Sequence, residues 1–427
     1  MLELREYQSD LAARAFRALA RSGSVVIQLE TGAGKTHIAA EMCRVWVRMK
    51  KRVWFVAHRR EILDQARAIF DEGAIKHGPG ARVQFKMIAA AMKGGEPGPD
   101  VVIFDECHHA AAESWRKVAE AHPKALRLGL TATPNRLDGA ALSECFAEIE
   151  HGPAARDLRA NGHLARYQYF APVLPDLSAV KVRDKEYDRG SIAQIMTGAS
   201  IVGDVVEHYR KHADGKRAIL FAVSVAASQD MAARFNAAGI AARHVDAETS
   251  DEDRASAIRA FRAGRVRVLC NVELFTEGFD LPSIGAVILL RPTRSLALYR
   301  QMIGRGSRFM SPKARTVILD HAALVAEHGL PDEEYVWTLE GKPPRRKVEI
   351  EGGARARMRR CPKCSAVHEW ALVCEECGHE YAVGPRDVTE VGGHLEEVKI
   401  PYGCVNKHTF AKMMGYSSHK TVSKKLH

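Results

Sequence analysis

No apolar run in these 427 residues approaches the length of a membrane-spanning helix. The opening residues, MLELREYQSD, have no signal-peptide character. Both absences point to a soluble, cytoplasmic protein with no membrane partner. A disulfide framework is missing as well. Of nine cysteines, Cys43, Cys107, Cys145, Cys270 and Cys404 are scattered, and only Cys361, Cys364, Cys374 and Cys377 cluster, a pattern that suits a metal in a reducing compartment. No solenoid-type repeat and no convincing nuclease constellation is present. Acid is in deficit: 52 Asp and Glu face 63 Lys and Arg, a net charge of +11. Residues 399–427 hold six lysines and no acid. Such a balance suggests a polyanionic partner, most simply nucleic acid, the alternative being a merely soluble basic protein.

What is present is a rhythm of short apolar runs. VVIQL (25–29), VWFVA (53–57), VVIF (101–104) and LRLGLTAT (126–133) come first; AILFAV (218–223), VRVLCNV (266–272), AVILL (286–290) and TVILD (316–320) follow after a gap. Val, Ile and Leu dominate them with little alternation, as in strands buried on both faces of a parallel sheet. Amphipathic stretches lie between, such as 60–70, 226–239 and 250–264. The β-α-β rhythm occurs twice, which predicts two parallel α/β domains at 1–160 and 165–330. A Pro-, Gly- and Arg-rich linker is expected at 331–360, a cysteine module at 361–384 and a basic tail at 385–427.

The first run leads into Glu30-Thr31-Gly32-Ala33-Gly34-Lys35-Thr36, and a helical stretch follows. Strand, glycine loop and helix together make a phosphate cradle. Thr31, Gly32, Ala33 and Gly34 would present backbone to phosphates, Lys35 would reach the β- and γ-phosphates of ATP, and Thr36 would hold Mg²⁺. Leu29 stands where the usual first glycine of such a loop would be. VVIF runs into Asp105-Glu106-Cys107-His108, with Asp105 as a second Mg²⁺ holder and Glu106 polarising the attacking water. Near position 300, Gln301-Met302-Ile303-Gly304-Arg305-Gly306-Ser307-Arg308 offers Arg305 and Arg308, three apart, as cations for a γ-phosphate. An ATP site at the junction of two domains follows from these segments.

In order along the chain, these segments resemble the motifs of a superfamily 2 helicase, most closely the RadD-like DNA repair helicases near the UvsW and XPB branches. The phrases LREYQ, DECHH, GLTATPNRL, TEGFDLP, LRPT and YRQMIGRGSR carry the likeness. The resemblance implies two tandem RecA-like domains followed by a small four-cysteine zinc ribbon. It implies that Arg5 and Gln8 lie at the adenine, that Gly278 and Asp280 approach ATP from the second domain, and that Gln301 belongs to the catalytic set. It also implies that His108, Thr131 and Thr133 couple hydrolysis to movement, and that Arg59 and Thr276 lie near the nucleic-acid backbone. One departure stands in AAAMKGG (89–95), which lacks the Ser or Thr that relatives often offer to a phosphate.

Cys361-Pro-Lys-Cys364 and Cys374-Glu-Glu-Cys377 form paired knuckles able to place four thiolates on one structural Zn²⁺. His368 and His379 read as bystanders. Arg355, Arg357, Arg359 and Arg360 precede the module and suggest DNA contact, with a solvated linker as the bland alternative. Residues 410–426 faintly resemble a helix-turn-helix, although a short basic helix fits better. The expected function is an ATP-driven helicase or translocase on single-stranded, forked or branched DNA, working with repair or replication proteins. An RNA helicase, the motor subunit of a restriction-type complex, and a non-catalytic DNA-binding module remain alternatives.

Overall fold

The computed structural model describes residues 3–93, 97–111, 113–135, 140–171, 182–183, 186–187, 204–272, 274–275, 284–308, 315–341, 344–346, 358–369 and 371–381. Two six-stranded sheets organise them. The first contains β1 (Ser24–Gln28), β2 (Val53–Ala57), β3 (Val83–Met87), β4 (Val101–Asp105), β5 (Leu126–Thr131) and β6 (Glu148–His151). All its pairs are parallel, in the order β3-β2-β4-β5-β1-β6. The second contains β7 (Arg166–Phe170), β8 (Ala218–Phe221), β9 (Ala242–Val245), β10 (Val268–Asn271), β11 (Ala286–Leu289) and β12 (Arg315–Asp320). It too is wholly parallel, in the order β9-β10-β8-β11-β12-β7.

Continuous apolar runs make the central strands because both faces are covered. Val25, Ile27, Phe55, Val101 and Ile103 join one core cluster of the first sheet, while Val26, Trp54, Val56, Val102 and Phe104 join another on the opposite face. Ile219, Phe221, Val287 and Leu289 likewise separate from Ala218, Leu220, Ala286 and Ile288 in the second sheet. Burying one such Val, Leu, Ile or Phe side chain fully contributes about 1.5–3 kcal/mol. The helix Glu6–Ser22 shows the complementary pattern, burying Leu11, Ala15, Ala18 and Leu19 on one stripe and ending at Gly23, whose φ is 75°.

β5 passes close to the segment after β4. A Cβ added to Gly129 would lie 2.7 Å from Cys107 Sγ and 2.9 Å from Phe146 Cζ. Gly129→Ala should therefore cost about 1–3 kcal/mol of stability by overpacking. Chemical denaturation measures it, and an unchanged midpoint would mean that β5 shifts without cost.

Residues 331–341, where a linker was expected, are packed. Trp337 and Leu339 are buried, and the Leu142 N–H donates to the Leu339 carbonyl at 2.7 Å. The segment thus returns from the second sheet to the first. Beyond it, β13 (Met358–Arg360) and β14 (Val367–Glu369) pair antiparallel. An antiparallel bridge between Phe170 and Ala366 sets this small module on the β7 edge of the second sheet. Among the described residues no helix is long and apolar enough to cross a membrane. Thr276, Gly278, Asp280, Arg355, Arg357 and residues 385–427, with the helix-turn-helix-like stretch, lie outside the described residues.

Candidate active site

β1 delivers its C-terminal end into the glycine loop, and the helix Lys35–Arg48 starts immediately after it. Gly32 and Gly34 have φ of 85° and 90°, left-handed values that a side chain would strain. The helix begins at Gly34 with no side-chain cap, whereas Asp204, Ser224, Ser250 and Ser295 cap four helices around the second sheet. Its first N–H groups are thus left for a ligand, with the positive end of the helix behind them. Lys35 Nζ donates to the Leu29 carbonyl at 3.0 Å, so the lysine lies back across its own loop.

Gln8 and Tyr7 brace this loop from below. Gln8 Nε2 and the Tyr7 hydroxyl both donate to the Ala33 carbonyl, at 3.0 and 2.7 Å. Gln8 also accepts from the Arg5 N–H at 2.9 Å, and Arg5 Nη1 reaches the His163 carbonyl at 3.4 Å.

β4 ends at Asp105, which is buried and accepts the Glu106 N–H at 3.0 Å. Glu106 has φ of 51°, a left-handed strain at the turn out of the strand. Cys107, next along the turn, is fully buried. Burial first, then Glu106 and Asp105, push its thiol well above the ordinary range, and Lys35 opposes them. β1 and β4 flank β5 in one parallel sheet, so the segments that follow them, with Lys35, Asp105 and Glu106, leave the same end of the sheet. From β5, the Thr131 hydroxyl lies 3.1 Å from His108 Nδ1 and accepts the Thr133 N–H at 3.1 Å. Thr133 Oγ1 is buried with no hydrogen-bond partner among the described residues. The segments after β1, β4 and β5 are thus linked at one sheet edge.

The second sheet closes this edge through the helix Leu296–Gly304, whose Tyr299, Met302 and Ile303 are buried. A Cβ on Gly304 would lie 2.7 Å from Thr31 Cβ, and one on Gly32 would lie 3.0 Å from Arg308 Cγ. The 305–308 loop is fixed from behind. Ala165 N–H donates to the Ser307 carbonyl at 2.8 Å, and the Thr316 hydroxyl donates to the Gly306 carbonyl at 2.6 Å. Arg305 and Gln301 are buried in the same region.

Sequence reasoning missed a largely buried ion pair between the two halves. Arg300 Nη1 pairs with Glu30 Oε1 at 2.6 Å, both largely buried. Its guanidinium also donates to the Glu333 carbonyl and faces Tyr335 and Trp337 at 5.2 and 5.9 Å. Arg300 and Glu30 flank the quoted motifs, but nothing in their spacing announces a pair 270 residues apart. Arg59 takes part in the same closure, donating to the Leu274 carbonyl at 3.0 Å.

In the small module, Cys361 Sγ lies 3.6 Å from Cys377 Sγ, and Cys364 Sγ 3.7 Å from Cys374 Sγ. All four sulfurs fall within 4.8 Å of one another. Zn–S bonds of about 2.3 Å in a tetrahedron require sulfurs about 3.8 Å apart. The cluster is thus compatible with zinc. Each knuckle is closed by backbone hydrogen bonds, Ser365 N–H to Cys361 O at 2.8 Å and Gly378 N–H to Cys374 O at 2.9 Å. His368 bonds Tyr381 instead of the sulfur cluster.

Comparisons with known proteins agree with this architecture. Residues 1–78 and 90–136 match the family described as type III restriction enzyme, res subunit, and residues 200–310 match the helicase conserved C-terminal domain. The chain is 35% identical to a 51.5 kDa protein of a Lactococcus phage (isolate 7-9), over 84% of this chain and 78% of that protein. It is 28% identical to the putative ATP-dependent helicase IRC3 of Saccharomyces cerevisiae, over 74% of this chain but only 51% of that protein. Among solved structures, a fragment of a putative HsdR subunit of a type I restriction enzyme from Vibrio vulnificus YJ016 superposes with a TM-score of 0.62 at 21% identity. That superposition covers 79% of this chain and 67% of the fragment, and shares the fold. With two parallel α/β units meeting at a glycine loop, the chain belongs to the superfamily 2 helicases, the nucleic-acid-dependent ATPases.

Proposed function

We propose that the chain is an ATP-driven DNA translocase or helicase whose nucleotide site lies between the two sheets. The observation that carries this reading is the seating of Gly304 and Arg308 on Thr31 and Gly32. Two units that touch the same phosphate loop must move relative to each other when the γ-phosphate leaves. Lys35 and the N–H groups of residues 31–36 hold the phosphates, and Arg5 and Gln8 border the adenine. Glu106 orients the attacking water, while Arg305 and Arg308, with Gln301 beside them, stabilise the charge that develops on the γ-phosphoryl group. Mg²⁺, held by Thr36 and Asp105, would offset the charge of the β- and γ-phosphates. His108, Thr131 and Thr133 link the hydrolytic turn to the neighbouring strand. Zn²⁺ on Cys361, Cys364, Cys374 and Cys377 would fold the small module, with no open position for catalysis.

The likeness of residues 1–78 and 90–136 to a restriction-enzyme subunit favours DNA over RNA, while a charge of +11 suits either polyanion. Most contacts should be to phosphates, with little sequence preference and strong salt dependence. The test is ATP turnover of the zinc-loaded protein with no nucleic acid, single-stranded DNA, forked DNA and matched RNA. DNA is expected to stimulate turnover well above RNA. Stimulation mainly by RNA would move the chain to the RNA helicases, and no turnover under any condition would refute the motor reading for the chain alone.

A further inference from the structure

A pocket of about 200 Å³ lies between the second sheet and the four-cysteine module, at the C-terminal ends of β7 and β12. The C-terminal ends of strands are where open parallel sheets bind ligands. Its polar lining comes from three separate parts of the chain. His208, Lys211 and His212 belong to the helix Val205–Ala213, His321 follows β12, and Arg360 and Ser365 come from the module. The one acid among the described residues of its wall is turned away. Asp320 accepts the Tyr169 hydroxyl at 2.8 Å and the N–H groups of Ala322 and Val325 at 3.1 and 3.0 Å, so its charge is spent in the core.

The rings are held by stacking. His212 stacks on Phe170 with centroids 4.0 Å apart, and His208 stacks on His321 at 5.1 Å. Lys211 and Arg360 make no side-chain hydrogen bond or ion pair among the described residues, and both are exposed at the rim. Burial first, then Lys211, His208 and Arg360, push the His212 imidazole down to about 4. Lys211, His208 and Arg360 add to burial in the same direction, because nearby positive charge disfavours a further one.

We infer that this pocket binds a phosphate group of nucleic acid, gripped by Lys211 from the motor and Arg360 from the four-cysteine module. The inference rests on the DNA-motor reading and adds a second grip outside the interdomain cleft. A phosphate seated there bridges the module to the second sheet, so the module becomes part of the track.

The experiment uses the full zinc-loaded chain and fluorescent single-stranded DNA bearing a 5′-phosphate, a 3′-phosphate or neither, with anisotropy read across a salt series. The double variant Lys211→Gln with Arg360→Gln should bind about tenfold more weakly, with the slope of log affinity against log salt reduced by about one to two. Arg234→Gln, at an exposed arginine that pairs with Asp230 within the helix Val225–Ala237, should leave both nearly unchanged. Equal weakening for all three DNAs identifies an internal backbone phosphate, and weakening confined to one phosphorylated end identifies a terminal one. Either result supports the site. Binding by the double variant equal to that of Arg234→Gln overturns it while leaving the motor reading intact. Wild-type protein that neither binds DNA nor responds to it in turnover overturns both. Zinc content and thermal midpoint report folding. Should the double variant lose zinc, Lys211→Gln alone decides, because Lys211 lies outside the module.

Discussion

Replacing Arg308 with alanine is expected to lower DNA-stimulated ATP turnover by about 10³-fold or more, the usual loss when an arginine facing a transferring phosphoryl group is removed. The argument is positional. Arg308 Cγ lies 3.0 Å from where a Cβ on Gly32 would sit, so its side chain leaves the second sheet at the rim of the phosphate loop. The backbone carrying it is fixed by a bridge to Leu164 and by the flanking Ala165–Ser307 hydrogen bond. Charge held rigidly there acts on the transition state more than on bound ATP. Turnover should therefore collapse while the affinity for a fluorescent ATP analogue changes little. Arg308→Lys should recover little, because an ammonium lacks the planar fork of a guanidinium. Turnover of Arg308→Ala within tenfold of wild type would remove Arg308 from the active site.

Removing zinc, by chelation or by Cys361→Ser, is expected to unfold residues 361–381 while both sheets stay folded. Zinc sites in small modules supply about 10–16 kcal/mol of apparent binding energy at neutral pH, and that energy is folding energy. The module has little else. Its own core cluster of buried residues is Cys361, Cys374 and Tyr381. Its outer links among the described residues are the Phe170–Ala366 bridge, Val367 against the second-sheet core, Glu376 with Gln168 and Arg315, and Arg156 with Glu369 at 2.8 Å. Hydrogen exchange should show amides of 361–381 losing protection on zinc removal while β1, β4, β8 and β11 keep theirs. Stoichiometric zinc in the wild-type protein is the first requirement. Unchanged protection after its removal would show that the sulfur cluster folds without metal.

The strands that could be read from the sequence differ from those that could not in one respect. β1, β2, β4, β8, β10 and β11 are interior strands, buried residue for residue, and they appear as plain apolar runs. β3, β6, β7 and β9 form the four edges of the two sheets. Their sequences, VQFKM, EIEH, RYQYF and ARHV, mix charge with apolar residues because one side meets solvent or another layer. A polar edge strand carries no periodic signal long enough to distinguish it from a loop. The same limit hid the packing of 331–341, where Tyr335-Val336-Trp337 and Leu339 form too short an apolar patch among polar residues.

Composition and local order alone determined the chemistry on offer. A strand followed by a glycine loop and GKT, an acidic pair closing an apolar run, and two knuckles of paired cysteines each act over fewer than about 25 residues, within reach of local backbone rules. Tertiary structure decided which of these groups meet. The seating of Gly304 on Thr31, the Arg300–Glu30 pair and the closure by Arg59 join segments separated by hundreds of residues. The pocket shared by Lys211 and Arg360 is of the same kind. Such contacts depend on how two sheets and a small module pack against one another, and that packing is set by the summed burial of many side chains, with no local pattern to record it.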